Sequence, residues 1–185
     1  LGWQAITEED KERLKWWGIF YRKPTPRFFM IRIRIPNGMT TSQQFRTIAS
    51  ISSHDGKGFA DITTRQQIQL RNMTIDRVPT ILEKLYEVGL TTLQTGMDNI
   101  RNVVGCPVAG IHPGEIFDAS PVVKEFTKIF VGNQEFCDLP RKFNPTITGC
   151  PDNCTEAESQ DLSMTPAEQE IDGSAPTGEK VFGFN

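Results

Sequence analysis

The run LPRKFNPTITGCPDNC, residues 139–154, sets Lys142 and Asn144 two apart and then places Cys150 and Cys154 at C-x3-C spacing. Residues two apart on a strand project to the same side, so Lys142 and Asn144 present an ammonium and a carboxamide together. Both donate hydrogen bonds to oxyanions. Thiolates are the ligands of structural metals and iron–sulfur clusters, so Cys150 and Cys154 are candidate metal ligands. Two cysteines are half a site, and Cys106 in GCPVAG and Cys137 are not spaced as a second pair. A pair of unligated cysteines in a turn is the other reading. His54 and His112 stand beside Gly or Pro and read as exposed loop residues.

More cations lie upstream. Arg32 and Arg34 share one side of RFFMIRIRIP, Arg65 and Arg71 flank Gln67 and Gln69 in TTRQQIQLR, and Arg101 sits in the irregular stretch MDNIRN. If these side chains converge, they line a pocket for a ligand with many carboxylates or for a small oxyanion. The alternative is the solvent-facing side of an antiparallel sheet, where Arg, Gln and Thr are routine.

The elements that must position them follow from periodicity. In RFFMIRIRIP, Ile31, Ile33 and Ile35 alternate with Met30, Arg32 and Arg34, which predicts a strand with one apolar and one cationic face. Thr40 or Thr41 can cap a helix whose buried face carries Phe45, Ile48 and Ala49. FADITTRQQIQLRNM alternates again. Asp76 is a possible cap for a helix with Val78, Ile81, Leu82 and Leu85 on one face, closed by Gly89. Strand–helix–strand–strand–helix is the ferredoxin-like (split βαβ) pattern of an α+β half-sheet. A polar helix with Trp16 and Trp17 against a core precedes it; a further helix near 119–131, a strand at RKFNPTIT and a surface loop at 166–180 follow it. This divides the chain into an N-terminal helical segment (1–26), a ferredoxin-like half-domain (27–92) and a second part (93–185).

The 185 residues carry a net charge of −3, too mild for a whole-chain field to draw nucleic acid or an anionic membrane. No apolar run nears the roughly 20 residues of a membrane span. Four cysteines without a scaffold-like spacing favour a reducing, cytoplasmic compartment. The chain opens without Met and ends on the apolar VFGFN, which reads as a piece of a longer protein. A ferredoxin-like RNA-binding sheet is a different-class alternative, but the strand faces offer Met, Arg and Gln where such sheets usually carry aromatics.

Six ordered blocks decide between these readings. IRIRIPNGMTTSQQFRTIAS, ADITTRQQIQLRN, VGLTTLQTGMDNIRN, GCPVAGI, LPRKFN and VFGFN resemble the nitrite/sulfite reductase family, and within it the ferredoxin-dependent assimilatory nitrite reductases. The resemblance runs from about residue 8 to the end. It implies the ferredoxin-like half of a pseudo-symmetric module followed by the start of a siroheme-binding α+β domain. It also implies siroheme and a [4Fe–4S] cluster as cofactors, and six-electron reduction of nitrite to ammonia. Reduced ferredoxin or another low-potential donor is the implied partner, in the cytoplasm or a plastid-like stroma, with no nucleic acid and no membrane.

By motif, the resemblance puts the substrate beside Arg32, Arg101, Lys142 and Asn144, with Lys142 as a proton source. It assigns siroheme contacts to Arg65, Gln69 and Arg71, with Thr63, Thr64 and Asn102 as further candidates. Sulfite reductases of the family carry a second lysine where this chain has Asn144, so the amide favours nitrite, with sulfite as the alternative substrate. The family's cluster cysteines belong to a C-x5-C…C-x3-C set expected beyond residue 185. GCPDNC then reads as their counterpart in the first repeat, and the fragment by itself is expected to be inactive.

Overall fold

The computed structural model describes residues 2–169 and 177–184. The alternation in IRIRI forms strand β2 (Phe29–Ile33), which buries Ile31 and Ile33 completely. β2 pairs antiparallel with β1 (Ile19–Tyr21) on one side and β4 (Ile68–Met73) on the other, and β4 pairs with β3 (Ala60–Ile62). The sheet order is therefore β1-β2-β4-β3. β1 lies in the segment expected to be only helical before residue 27. The helix α1 there (Glu8–Trp16) is held by a Thr7/Asp10 capping box. Trp17 is exposed, not packed as expected.

Two amphipathic helices cover the sheet. In α2 (Ser42–Asp55), Thr41 is the cap and forms a capping box with Gln44. Ile48 and Ile51 face the core, while Phe45 and Ala49 turn outward, a correction to the expected face. In α3 (Val78–Glu87), Val78, Ile81 and Leu85 are buried as the periodicity required. Asp76 is not its cap: it lies in a 3-10 turn, Ile75–Arg77, that leads into the helix. Gly89, at φ 72°, closes α3 with its N–H to Tyr86 O while Leu90 N–H reaches Leu85 O, an αL termination that satisfies the last carbonyls. These residues make one core; burying each large side chain contributes about 1.5–3 kcal/mol. The βαββα order of β2, α2, β3, β4 and α3 is the ferredoxin-like half-sheet.

The second part builds a smaller layer. β5 (Pro145–Ile147) runs parallel to β6 (Leu162–Glu168), and β6 pairs antiparallel with β7 (Lys180–Phe184). α4 (Ser120–Phe130) packs Val123 beside Val103 and Ile147. The expected loop at 166–180 is overturned at both ends, because Pro166–Glu168 complete β6 and Lys180 begins β7. Residues 170–176 of that stretch lie outside the described residues.

Segment 99–104 joins the two layers. Arg101 N–H bonds to Phe143 O at 2.8 Å and Val104 N–H to Pro145 O at 3.2 Å, so this segment runs alongside the start of β5. On its other side Asn37 N–H bonds to Val103 O, and the Asn102 carboxamide donates to Ile35 O at 2.7 Å. Residues far apart in the chain are thereby fixed around one seam.

Candidate anion and tetrapyrrole site

That seam opens into a hollow of about 190 Å³. Its cationic wall is Arg32, Arg65, Arg101 and Lys142; Thr63, Thr64, Gln67, Gln69 and Asn144 complete the lining. No Asp or Glu belongs to the lining among the described residues. β2 supplies Arg32, and its Cα partner on β4 is Gln69. The turn between β3 and β4 supplies Thr63, Thr64 and Arg65, the joining segment supplies Arg101, and the approach to β5 supplies Lys142 and Asn144.

The cations are held by backbone and amide oxygens in place of carboxylates. Arg101 donates from Nη1 to Thr95 O at 2.9 Å and from Nη2 to Met97 O at 2.6 Å. Arg32 donates from Nη1 to the same Thr95 O at 3.1 Å and stacks over Phe20. Arg65 donates to Gln160 Oε1 at 2.9 Å. Neutral partners orient a guanidinium without cancelling its charge. Burial, and then the charges of Arg101, Arg71 and Arg22, lower the Arg32 pKa to about 10. Burial likewise lowers Arg65, where Arg101 adds to the effect and Asp161 opposes it. Arg101 is lowered by burial and Arg141, against the pull of Asp98.

Unmet hydrogen-bonding capacity marks what the hollow takes. Arg32 Nε, Arg101 Nε and Gln67 Nε2 are buried donors without a partner. Buried donors left unpaired cost about 1–3 kcal/mol each, more when charged, and an acidic ligand removes that cost. The donor set thus fits carboxylates or a small oxyanion. Sites for cofactor-sized ligands run to about 300–1,000 Å³, so the hollow by itself is of a size for a small oxyanion or for part of a larger acidic ligand.

Most of the expected residues meet here. Arg32, Thr63, Thr64, Arg65, Gln69, Arg101, Lys142 and Asn144 all line the hollow. Asn102 stands behind it, fully buried, with its carboxamide donating to Arg65 O at 3.0 Å. Arg71 is not brought in: it pairs with Asp61 across the β3–β4 ladder. Arg65, Gln67 and Gln69 line the hollow together; Arg71, two residues past Gln69, acts on Arg32 through its charge but spends its guanidinium on Asp61. Arg34 also leaves the cationic face. It is buried and donates to Leu93 O, Gln94 O and Ile100 O, which fixes the loop that carries Arg101. Gln67 was left out of the expected ligand set; its position two residues before Gln69 is the signal that places it. Cys150 and Cys154 are both free cysteines, the first buried and the second exposed. His112, expected to be exposed, is half-buried beside Cys150.

The sequence and the fold match known proteins. Residues 21–88 match the nitrite/sulfite reductase ferredoxin-like half domain, and residues 96–176 match the nitrite and sulphite reductase 4Fe-4S domain. The chain belongs to the nitrite/sulfite reductase family. It is 46% identical, over its whole length, to a ferredoxin–nitrite reductase of Synechococcus elongatus, covering 37% of that protein. It is 44% identical to the chloroplastic ferredoxin–nitrite reductase of Spinacia oleracea, with 94% of this chain and 29% of the spinach protein aligned. Among solved structures, the Mycobacterium tuberculosis NirA protein superposes with a TM-score of 0.87 at 27% identity, over 99% of this chain and 35% of that one. The chain thus spans about a third of the length of these relatives.

Proposed function

We propose that the hollow is the protein's contribution to a site that reduces nitrite to ammonia with six electrons, in an enzyme of the ferredoxin–nitrite reductase type. The observation that carries this is the convergence of Arg32, Arg65, Arg101 and Lys142 on one space with partnerless buried donors and no lining carboxylate. The similarity to ferredoxin–nitrite reductases supports the substrate and reduced ferredoxin as donor. The matched domain supports iron–sulfur chemistry in the whole protein. The compartment is the cytoplasm or a plastid stroma, in keeping with the cyanobacterial and chloroplastic relatives.

Siroheme, when bound, would supply the iron that takes the substrate and pass on the electrons that reduced ferredoxin provides. The protein's residues do the rest. Arg65, Gln67 and Gln69, with Thr63 and Thr64, hold carboxylate groups of the macrocycle, which unpaired are too costly to bury. Arg32 and Arg101 face the bound anion as fixed cations and stabilise negative charge developing on departing oxygen. Lys142 is exposed at the rim and in reach of water, so it is suited to hand protons inward. Asn144 is clamped by Asp161, which accepts from its N–H at 2.7 Å and returns an N–H to its carbonyl at 2.9 Å. A neutral carboxamide at that place suits a monoanion.

The experiment is steady-state turnover of nitrite and of sulfite by the purified holoprotein with reduced ferredoxin, measuring ammonium and sulfide. Ammonium formation at a higher kcat/KM than sulfide formation is expected; preferred sulfide formation would reassign the substrate.

A further inference from the structure

Past the C-terminal end of β5, two loops meet at a second group of chemistry-bearing side chains. The Cys150 Sγ lies 3.5 Å from His112 Nδ1, and His112 Nε2 lies 3.3 Å from Asp152 Oδ2. One ligating atom from each of the three falls within 4.8 Å of the others. Cys106, also buried, is near enough to the Cys150 thiol to add to the rise in its pKa. One loop therefore brings Cys106 and His112, and the other brings Cys150 and Asp152.

The approach of the loops is built into the chain. Gly149 O accepts N–H bonds from Ile116 at 2.8 Å and Phe117 at 3.2 Å. A Cβ at 149 would sit 1.8 Å from Phe117 O, so only glycine lets the loops close to this distance. Gly105, just before Cys106, is fixed by a two-way pair of hydrogen bonds with the Gln66 carboxamide, both 2.9 Å. A solvent-connected hollow of about 270 Å³, lined by Cys150 and Asp152, gives an ion a way in.

We propose that Cys150 and His112 Nδ1 bind one zinc-class divalent ion, with Asp152 orienting the imidazole, Cys106 within reach as a further thiolate and water completing the coordination. The donor chemistry selects the metal. Thiolate and imidazole suit zinc, whereas calcium and magnesium take oxygen ligands. An iron–sulfur cluster wants four thiolates, but Cys154 is exposed and Cys137 is engaged elsewhere, with Asn133 O and the Gln94 carboxamide. Tetrahedral zinc with bonds of about 2.0–2.3 Å sets its donor atoms roughly 3.3–3.8 Å apart, and the Cys150–His112 separation is in that range. Gly114 N–H donates to Nδ1 at 3.2 Å, which leaves the ring proton on Nε2, facing Asp152. Nδ1 then offers its lone pair next to the thiols, in the carboxylate–histidine–metal arrangement that sets ligand basicity. The ion replaces that long amide contact and releases the thiol protons to solvent.

The test is zinc content and affinity of the purified, reduced protein after chelator treatment and dialysis against micromolar zinc. Zinc is counted separately from iron, so the result is independent of cofactor loading. One zinc per chain is expected, falling at least tenfold in C150S and in H112A, and unchanged in C154S. D152N alters an outer, largely exposed carboxylate and is expected to keep one zinc at about 10–100-fold weaker affinity. Failure of the unsubstituted protein to retain zinc overturns the proposal, as does loss of zinc in C154S equal to that in C150S. Should C150S or H112A lose its native circular dichroism, D152N decides, and an unchanged affinity there overturns the site.

Discussion

Arg32 and Arg101 donate to a single acceptor, the carbonyl of Thr95, at 3.1 and 2.9 Å. One comes from the middle of a sheet and the other from the segment that joins the sheet to β5. A shared neutral acceptor holds two like charges side by side without discharging either one. The repulsion that remains is what an anion between them relieves.

That relationship gives a pH dependence. Burial and the nearby guanidinium groups lower the Arg32 pKa to about 10. A cation with a lowered pKa is still fully charged at neutral pH and becomes neutral as pH rises through that value. Nitrite affinity, from KM or spectroscopic titration, is expected to be insensitive to this group from about pH 6 to 9 and to weaken as pH approaches about 10. A midpoint near neutral pH would assign the binding charge to another group.

Arg34 is a support for the site. Its guanidinium satisfies the carbonyls of Leu93, Gln94 and Ile100 with no carboxylate nearby. Arg34→Met leaves these acceptors unpaired, at about 1–3 kcal/mol each, partly offset because the buried charge is also gone. Urea denaturation is expected to show a net loss of about 1–3 kcal/mol, together with a raised KM for nitrite as Arg101 loses its footing. Unchanged stability would mean that the loop holds itself.

How much of this was legible follows from the kind of signal each residue gave. Ile31, Ile33, Val78, Ile81 and Leu85 announced themselves by period, because strands and helices bury one face. Thr40 and Thr41 announced a helix start by residue type, and Thr41 is the one that caps it. Arg34 and Arg71 did not reveal their roles, since parity says which side a residue takes but not whether carbonyls or Asp61 will be waiting there. β1 was too short to show a period, and Phe45 points outward despite its hydrophobicity. The loop group of His112, Cys150 and Asp152 has no local spacing to read, because its two halves lie far apart in the chain and close on each other at Gly149.

Asn144 is proposed to set the charge that the site prefers. Asn144→Lys adds a cation to the lining that already holds Arg101, which is expected to favour the more highly charged oxyanion. A charge-assisted hydrogen bond contributes about 1.5–3 kcal/mol, so the sulfite-to-nitrite ratio of kcat/KM is expected to rise by roughly 10–100-fold. A ratio that stays constant would show that selection lies elsewhere.

The convergence of cations from separate elements on one anion is tested most directly by kcat/KM for nitrite in Arg101→Gln and Lys142→Gln holoproteins whose siroheme content and circular dichroism match the unsubstituted protein. Removing one preorganised charge from a developing oxyanion costs about 10²–10³ in rate, and each variant is expected to fall by that order. Values within twofold of the unsubstituted protein in both variants would contradict the assignment of this hollow as the place where nitrite is reduced.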